Sequence, residues 1–242
     1  HPLSGERIQI LTEVYEKDPA WNAKIDPQLE AQFERVKAKL QGFVSEPTRT
    51  LQLYPEKDQS IPAHYARAYA WHKSAYPDKA LAEASALLAT NPHDPYFLEL
   101  EGQIMLESGR PQQAIAPLRE AVDRTGAQPL IAATFGHALI ATEDNQYLPE
   151  AEKVLRAAVN RDRENPFAWY QLGVVYEKRG DLPRAALASA ERYQMMGQDG
   201  LALTSAERAM AGLPEGSIDW LRAQDIALVA RNAVERNKKR RR

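Results

Sequence analysis

The fold is decided by one stretch of sequence, Pro166–Pro183, which reads PFAWYQLGVVYEKRGDLP. Within it, Trp169, Leu172 and Tyr176 recur at the spacing that places side chains on one face of an α-helix. Gly173 has no side chain, which leaves room for a neighbouring backbone to come close. The first part of the stretch therefore predicts a helix whose apolar face packs against another helix.

The end of the same stretch predicts a turn and a second helix. Gly180 can adopt the left-handed backbone conformation that ends a helix, and Asp181 can cap the helix that follows. Pro183 is tolerated because it falls in the first turn of that helix. The whole stretch therefore predicts a helical hairpin.

The hairpin recurs along the chain. The alanine of its second helix reappears in each unit, and the Trp, Leu-Gly, Tyr, Gly and Ala positions of the last unit resemble the tetratricopeptide repeat, whose unit is about 34 residues long. A single hairpin cannot cover both of its faces, so neighbouring units must stack. We therefore expect an all-α fold, a tetratricopeptide-repeat superhelix of antiparallel helix pairs. The units begin at Ile61, Pro95, Pro129 and Pro166, with the alanine at Ala80, Ala114, Ala151 and Ala185.

The remaining segments are assigned around this array. Residues 1–60 are predicted to form an N-terminal helical segment, residues 61–216 the array with a partial further unit, residues 217–236 a capping helix, and residues 237–242 a basic tail. The helix at about 184–196 is expected to serve both the fourth unit and the partial one. In the N-terminal segment, a helix at about 27–44 is expected to bury an apolar stripe made of Leu29, Phe33, Val36, Leu40 and Phe43.

The composition excludes several classes of function. Of the 242 residues, 44% are hydrophobic and 26% are charged, which is ordinary for a globular protein. The formal net charge of -2 gives no global field that would hold nucleic acid or anionic lipid, and the basic end at 238–242 is interpreted as a solvated tail. No apolar run is long enough to span a membrane. The absence of cysteine excludes disulfides and thiolate metal sites and leaves the redox compartment open.

The sequence contains no catalytic motif. Its five histidines, at positions 1, 64, 72, 93 and 137, include no His-Glu-x-x-His arrangement, and there is no nucleophile elbow, Walker loop or dinucleotide-binding glycine motif. The four histidines after His1 are interpreted as surface or groove residues. Whether the chain belongs to an enzyme is therefore left uncertain by its own residues.

Function is instead expected on the concave wall that the first helices of the units would form. Aromatic side chains with amide and charged groups among them suit a peptide-binding groove. The alternative to partner binding, above all for Tyr96 and Phe167, is that the side chain packs against the neighbouring unit. Since Glu99 and Gln103 stand where a carboxylate clamp would need Lys and Asn, recognition of a chaperone C-terminus is not expected. The predicted partner-binding residues are Tyr65, Tyr69, His72, Tyr96, Glu99, Gln103, His137, Phe167, Tyr170, Val174 and Glu177.

The opening residues His1–Ile8, HPLSGERI, resemble a phrase of bacterial zinc metallopeptidases of the BepA (YfgC) type. In that family a His-Pro-Leu-x-x-x-Arg-Ile or Arg-Leu segment closes the protease domain, and a tetratricopeptide domain follows. The resemblance implies that the catalytic domain lies upstream, that zinc belongs to the parent protease rather than to this chain, and that His1 is an extra zinc ligand. It also implies a periplasmic location, with outer-membrane proteins or their assembly machinery as partners in quality control.

Two functions of different classes remain open. In the first, the chain is the protein-interaction module of a linked zinc metalloprotease and presents substrates or assembly partners to it. In the second, it is a free-standing scaffold or adaptor with no protease attached. A His-Glu-x-x-His motif in the coding sequence upstream of His1 would distinguish the first from the second.

Overall fold

The computed structural model describes residues 4–240, apart from the side chains of residues 22, 239 and 240, and all regular secondary structure in this part of the chain is helical. The all-α fold predicted from the sequence is confirmed. Two short 3-10 turns, Pro19–Asn22 and Asn145–Tyr147, interrupt the series of α-helices. Within the described range the α-helices are α1 (Ser4–Tyr15), α2 (Pro27–Val44), α3 (Pro47–Leu53), α4 (Ile61–Lys73), α5 (Pro77–Thr90), α6 (Pro95–Glu107), α7 (Pro111–Arg124), α8 (Pro129–Ala141), α9 (Leu148–Arg161), α10 (Pro166–Lys178), α11 (Leu182–Met195), α12 (Asp199–Gly212) and α13 (Ile218–Arg240).

The hairpin predicted at Pro166–Pro183 forms as expected. Asn165 caps α10 by accepting a hydrogen bond from the backbone N–H of Ala168 at 3.0 Å. The helix ends where Gly180 takes a φ of 77°, a conformation that suits glycine because it has no Cβ. Asp181 then caps α11 by accepting from the N–H of Arg184 at 3.1 Å. Local sequence chemistry therefore sets both helices and the turn between them.

The chain divides into two compact units, the first ending at Ala70 and the second beginning at Trp71. In the first unit, Gly42 of α2 lies against α4: a Cβ added to it would meet the carbonyl oxygen of Ala66 at 2.8 Å. The guanidinium of Arg67, only 1% exposed, donates to the carbonyl oxygens of Pro55 and Asp58 at 3.0 and 2.7 Å. This arginine fixes the segment between α3 and α4.

The apolar stripe of α2 is not buried, contrary to the prediction. Its five side chains are 58–62% exposed, whereas α2 buries Ala38 and Gly42. These small residues let the backbone of α4 approach closely. The large side chains stay mostly exposed, although the ring centre of Phe43 lies 6.1 Å from that of Tyr69 in α4. The stripe comprises Leu29, Phe33, Val36, Leu40 and Phe43.

In the second unit, each helix packs against the next, and the short connections make consecutive helices antiparallel. The first helices also contact one another in order, α6 with α8 and α8 with α10. After α10 the contact between alternate helices shifts by one helix and joins α11 to α13. Helix α11 therefore takes part both in the fourth hairpin and in the packing that follows it. One apolar core runs through α6–α11, and a second one joins α11, α12 and α13.

The last helix is attached through charged side chains as well as through its apolar face. Arg222 of α13 pairs with Glu191 of α11, and its guanidinium lies 4.6 Å from the ring centre of Trp169. Arg184 links Asp181 and Asp219 at 2.8 and 2.9 Å. Among the helices of residues 4–240, none combines the length and apolarity needed to cross a lipid bilayer.

Candidate functional site

A row of apolar side chains follows the first helices of the second unit. Tyr96, Leu130 and Phe167 each come directly after the proline that begins α6, α8 and α10. They are 40%, 59% and 43% exposed, although the helices that carry them belong to the core. Because the first helices contact one another in order and the three side chains hold the same position in each helix, the repeat places them on one side of the array. We call this surface, formed by α6, α8 and α10, the first-helix face.

A polar cluster crosses the first-helix face beside this row. The carboxylate of Glu107 lies 2.6 Å from Nε2 of His72 and accepts a hydrogen bond from the Gln103 amide at 2.9 Å. The hydrogen bond with His72 is the main reason why the pKa of Glu107 lies below its ordinary value, and burial opposes this effect. The carboxylate is therefore held in its ionised form and can accept hydrogen bonds.

His137 connects the cluster to the aromatic row. Its ring stands edge-on to that of Phe167, with the ring centres 5.6 Å apart. Burial lowers the pKa of His137, and the negative charge of Glu107 raises it by a smaller amount. At neutral pH the face therefore presents an uncharged imidazole between an anion and an aromatic ring.

A pocket of about 230 Å³ opens at the end of the first-helix face, between α10, α11 and α12. Tyr170, Val174 and Glu177 of α10 form one wall. The pocket is also lined by Arg192 of α11, whose guanidinium lies 4.9 Å from the ring centre of Tyr170, and by Arg208 of α12. The pocket therefore combines apolar side chains with two cationic groups and one carboxylate.

Nine of the predicted partner-binding residues lie in the second unit and are partly or largely exposed there. Their surface combines aromatic, amide and charged groups in the way that peptide-binding surfaces do. Whether they bind a partner remains a prediction. These residues are His72, Tyr96, Glu99, Gln103, His137, Phe167, Tyr170, Val174 and Glu177.

Tyr65 and Tyr69 are placed differently from the prediction. They are 1% and 4% exposed, so neither offers an open surface to a partner. Tyr69 packs edge-on against Tyr65 and against Phe43 of α2, with ring centres 5.9 and 6.1 Å apart. The helical period placed them on one face of α4, but it could not tell that α2 packs against that face.

Several residues of the surface were not identified from the sequence. Leu130, like Tyr96 and Phe167, directly follows the proline that begins its helix, so an alignment of the unit starts could have found it. Arg192 occupies a position where the second and third units carry alanine, which is a second signal that alignment of those units could have shown. Glu107 and Arg208 carry no such signal, because only the packing of neighbouring helices brings them to the site.

Side chains of the types that bind metals are scattered over the molecule. Within the described part of the chain, no three His, Cys, Asp or Glu side chains are grouped closely enough to bind a metal ion. The predicted zinc ligand, His1, lies outside the described residues. Its role therefore stays a prediction from the resemblance of the opening phrase.

Stacked helical hairpins with an exposed face on their first helices define a helical-repeat protein. The model of the tetratricopeptide repeat family matches residues 65–129 and 136–200, together more than half of the chain. The chain belongs to the tetratricopeptide repeat family, and the class of function that this family model supports is protein–protein interaction.

Solved structures of similar fold are tetratricopeptide proteins of low sequence identity. YrrB, described as a TPR protein with an unusual peptide-binding site, has 20% identity and a TM-score of 0.55, covering 72% of this chain and 90% of its own. MamA 41-end from Desulfovibrio magneticus RS-1 has 16% identity and a TM-score of 0.51, and the alignment covers 73% of this chain and 92% of the MamA chain. The pilF protein of Pseudomonas aeruginosa has 16% identity and a TM-score of 0.50, and the alignment covers 81% of this chain and 99% of the pilF chain. No curated protein sequence matches the chain.

Proposed function

We propose that this protein is an adaptor that holds an extended polypeptide along the first-helix face of its second unit. The observation that carries the proposal is the exposed apolar row formed by Tyr96, Leu130 and Phe167. These side chains recur at the same place in successive hairpins, so they would meet side chains spaced along a bound chain. The cluster around Glu107 adds hydrogen-bonding groups beside the row, which would orient the bound backbone.

The free-standing adaptor has more support than a protease module. The three solved structures described above are tetratricopeptide proteins whose alignment with this chain covers at least 90% of their own length, and none of the three is named as a protease. A peptide-binding site is named for YrrB, and this agrees with polypeptide as the ligand class proposed for the first-helix face. The proposal itself rests on the exposed row in this chain, since identities near 20% inform on the fold alone.

Selection from a random dodecapeptide library displayed on phage tests this function. The full chain is immobilised, selected peptides are synthesised with a fluorescent label, and their Kd is measured by fluorescence anisotropy. A Leu130→Ser/Phe167→Ser variant should weaken binding by about tenfold or more, because it removes two neighbouring members of the apolar row. Its far-UV circular dichroism should stay that of the wild type, since Leu130 and Phe167 are 59% and 43% exposed and neither belongs to the buried core.

The matched control is Leu228→Ser/Val229→Ser, which removes two apolar side chains that are similarly exposed on α13. This variant should bind the peptides as the wild type does. Equal loss in the two variants would mean that binding follows general surface hydrophobicity and not the first-helix face. A library that yields no binding peptide would overturn the proposed function.

A second candidate function is the interaction module of a linked zinc metalloprotease in the periplasm, with outer-membrane proteins or their assembly machinery as partners. One observation favours it, the resemblance of His1–Ile8 to the phrase that precedes the repeats in such proteases. The test is the coding sequence upstream of His1. A His-Glu-x-x-His motif there would favour the protease module, and its absence would leave the adaptor.

A further inference from the structure

We propose that the pocket between α10, α11 and α12 is a carboxylate subsite, which takes the side chain of an aspartate or glutamate of the bound polypeptide. The inference rests on the proposed function, because Tyr170 and Val174 belong both to the pocket wall and to the first-helix face. A peptide lying along that face would therefore reach the pocket with one of its residues.

The pocket exists because the fourth hairpin departs from the pattern of the two before it. Counted from the alanine that the second helices share, Ser189 stands where α7 has Leu118 and α9 has Leu155. Each leucine lies directly over the glycine of its own hairpin: a Cβ added to Gly102 or Gly136 would meet the leucine Cγ at 2.5 Å. The smaller serine leaves this place unfilled in the fourth hairpin.

The surroundings of Gly173 agree with this interpretation. A Cβ added there would meet only Ala188 at 3.5 Å and the carbonyl oxygen of Ala185 at 3.7 Å, which are ordinary van der Waals distances. Gly173 and Ser189 both line the pocket. The space that a leucine occupies in the earlier hairpins is therefore part of the opening.

Arg192 replaces a core residue in the same way. At its place the two earlier second helices carry Ala121 and Ala158, both of which are fully buried. In the fourth hairpin the guanidinium lies against Tyr170 and Tyr193, 4.9 and 5.6 Å from their ring centres. The aromatic rings hold the cation by cation–π attraction and leave its N–H groups for a ligand.

The charges of the pocket favour an anion. Among the described residues, no carboxylate is paired with Arg192 or Arg208, whereas other arginines of the second unit pair with acids: Arg119 with Glu150 at 2.8 Å, Arg184 with Asp219 at 2.9 Å, and Arg222 with Glu191. Glu177 is the single acid of the pocket wall. One ligand carboxylate would balance the two arginines and Glu177, and a phosphate dianion would leave the pocket negative.

The size of the pocket fits one side chain. Its volume of about 230 Å³ exceeds the roughly 30 Å³ that a water molecule occupies in the liquid, so a glutamate side chain enters together with a few waters. Two guanidinium groups offer planar sets of N–H donors, which match the two oxygens of a carboxylate. The pocket therefore selects an acidic residue at one position of the peptide.

The test uses the selected dodecapeptides and their amide analogues, in which one Glu or Asp at a time becomes Gln or Asn. With the wild type, one such exchange should weaken binding about tenfold. With Arg192→Gln/Arg208→Gln, the acidic peptide and its amide analogue should bind equally. Arg163→Gln, which removes an arginine outside the pocket, is the matched control and should keep the wild-type preference.

A second variant fills the pocket instead of removing its charge. Ser189→Leu restores the side chain that the two earlier hairpins carry, so it should fold with a thermal midpoint at or above that of the wild type. Its preference for the acidic peptide should be lost. This variant keeps the inference testable if the double arginine variant does not fold.

The possible outcomes separate this inference from the proposed function. Peptides that bind the wild type equally well in acidic and amide forms would overturn the carboxylate subsite and leave the proposed function standing. A phosphoserine analogue that binds more tightly than the glutamate peptide would overturn the choice of a carboxylate. Loss of all peptide binding in the Leu130→Ser/Phe167→Ser variant, with acid preference in the wild type, would support both.

Discussion

Gly102, Gly136 and Gly173 hold equivalent places in three successive hairpins, but only two of them are needed there for close packing. The leucine of the facing helix leaves no room for a Cβ at Gly102 and Gly136, whereas a Cβ at Gly173 is accommodated. The sequence predicts Gly173 as a point where a neighbouring backbone comes close. At Gly173 the facing helix is also near, with Ala188 and the carbonyl oxygen of Ala185 at 3.5 and 3.7 Å from an added Cβ, but Ser189 does not press against the glycine as a leucine would.

Gly136→Ala and Gly173→Ala should therefore change stability in opposite directions. Alanine at 136 overlaps Leu155 and should cost about 1 to 3 kcal/mol through overpacking, which outweighs its better helix propensity. Alanine at 173 meets no such obstacle and should stabilise by up to about 1 kcal/mol. Urea unfolding of the two variants measures both effects. Equal destabilisation would mean that the fourth hairpin is packed as tightly as the third.

His137 should make the stability of the fold depend on pH. Burial lowers its folded-state pKa below the ordinary 6.5, so the unfolded chain binds a proton first as the pH falls. The contribution of His137 is therefore fully present at about pH 7.5 and above, and it declines as the pH falls through 6.5 toward the lowered folded-state pKa. His137→Gln should flatten the fall in the free energy of unfolding between about pH 7.5 and 5.5, measured in urea at several pH values. An unchanged slope would show that other groups dominate in this range.

At the scale of single helices, local signals were predicted well and the partners of helix faces were not. Asp181 caps α11 as predicted, because a side-chain oxygen three residues ahead of a free N–H is a local property. The stripe of α2 has the same kind of local signal, but what covers a face depends on the rest of the chain. Helix α2 buries Gly42 against α4, and its large apolar residues stay exposed.

The attachment of α13 gives a prediction at the scale of an element. Glu191 is 7% exposed, and its partner Arg222 also covers the ring of Trp169. Arg222→Ala should lower the free energy of unfolding by about 2 to 3 kcal/mol, because it leaves a buried carboxylate without its cation. Glu191→Ala/Arg222→Ala should recover part of this loss, since neither charge remains. A double-mutant cycle by urea unfolding measures the coupling, and additive effects would mean that the pair contributes nothing.

Across the whole molecule, the sequence predicted the repeated packing better than the surface it exposes. The period of the hairpins follows from apolar residues and alanines, which every unit needs in order to stack. The pocket depends on Ser189 and Arg192, which are exceptions to the same period. A repeat pattern predicts what is shared between units, whereas binding chemistry lies in the positions where one unit differs.

Stability should be distributed unevenly along the chain. Helix α1 buries none of its residues, whereas α8 lies in the middle of the array and buries eight of its thirteen. Since opening a helix costs more free energy when it exposes more buried apolar surface, the amides of α1 should open for less than about 1 kcal/mol, and those of α8 for nearly the full free energy of unfolding. Hydrogen exchange followed by mass spectrometry should show this difference.

In Gly136→Ala, protection should fall in α8 and its neighbours and stay unchanged in α1, because each repeat depends directly on its nearest neighbours. An equal loss of protection in α1 would mean that the chain opens as one cooperative unit.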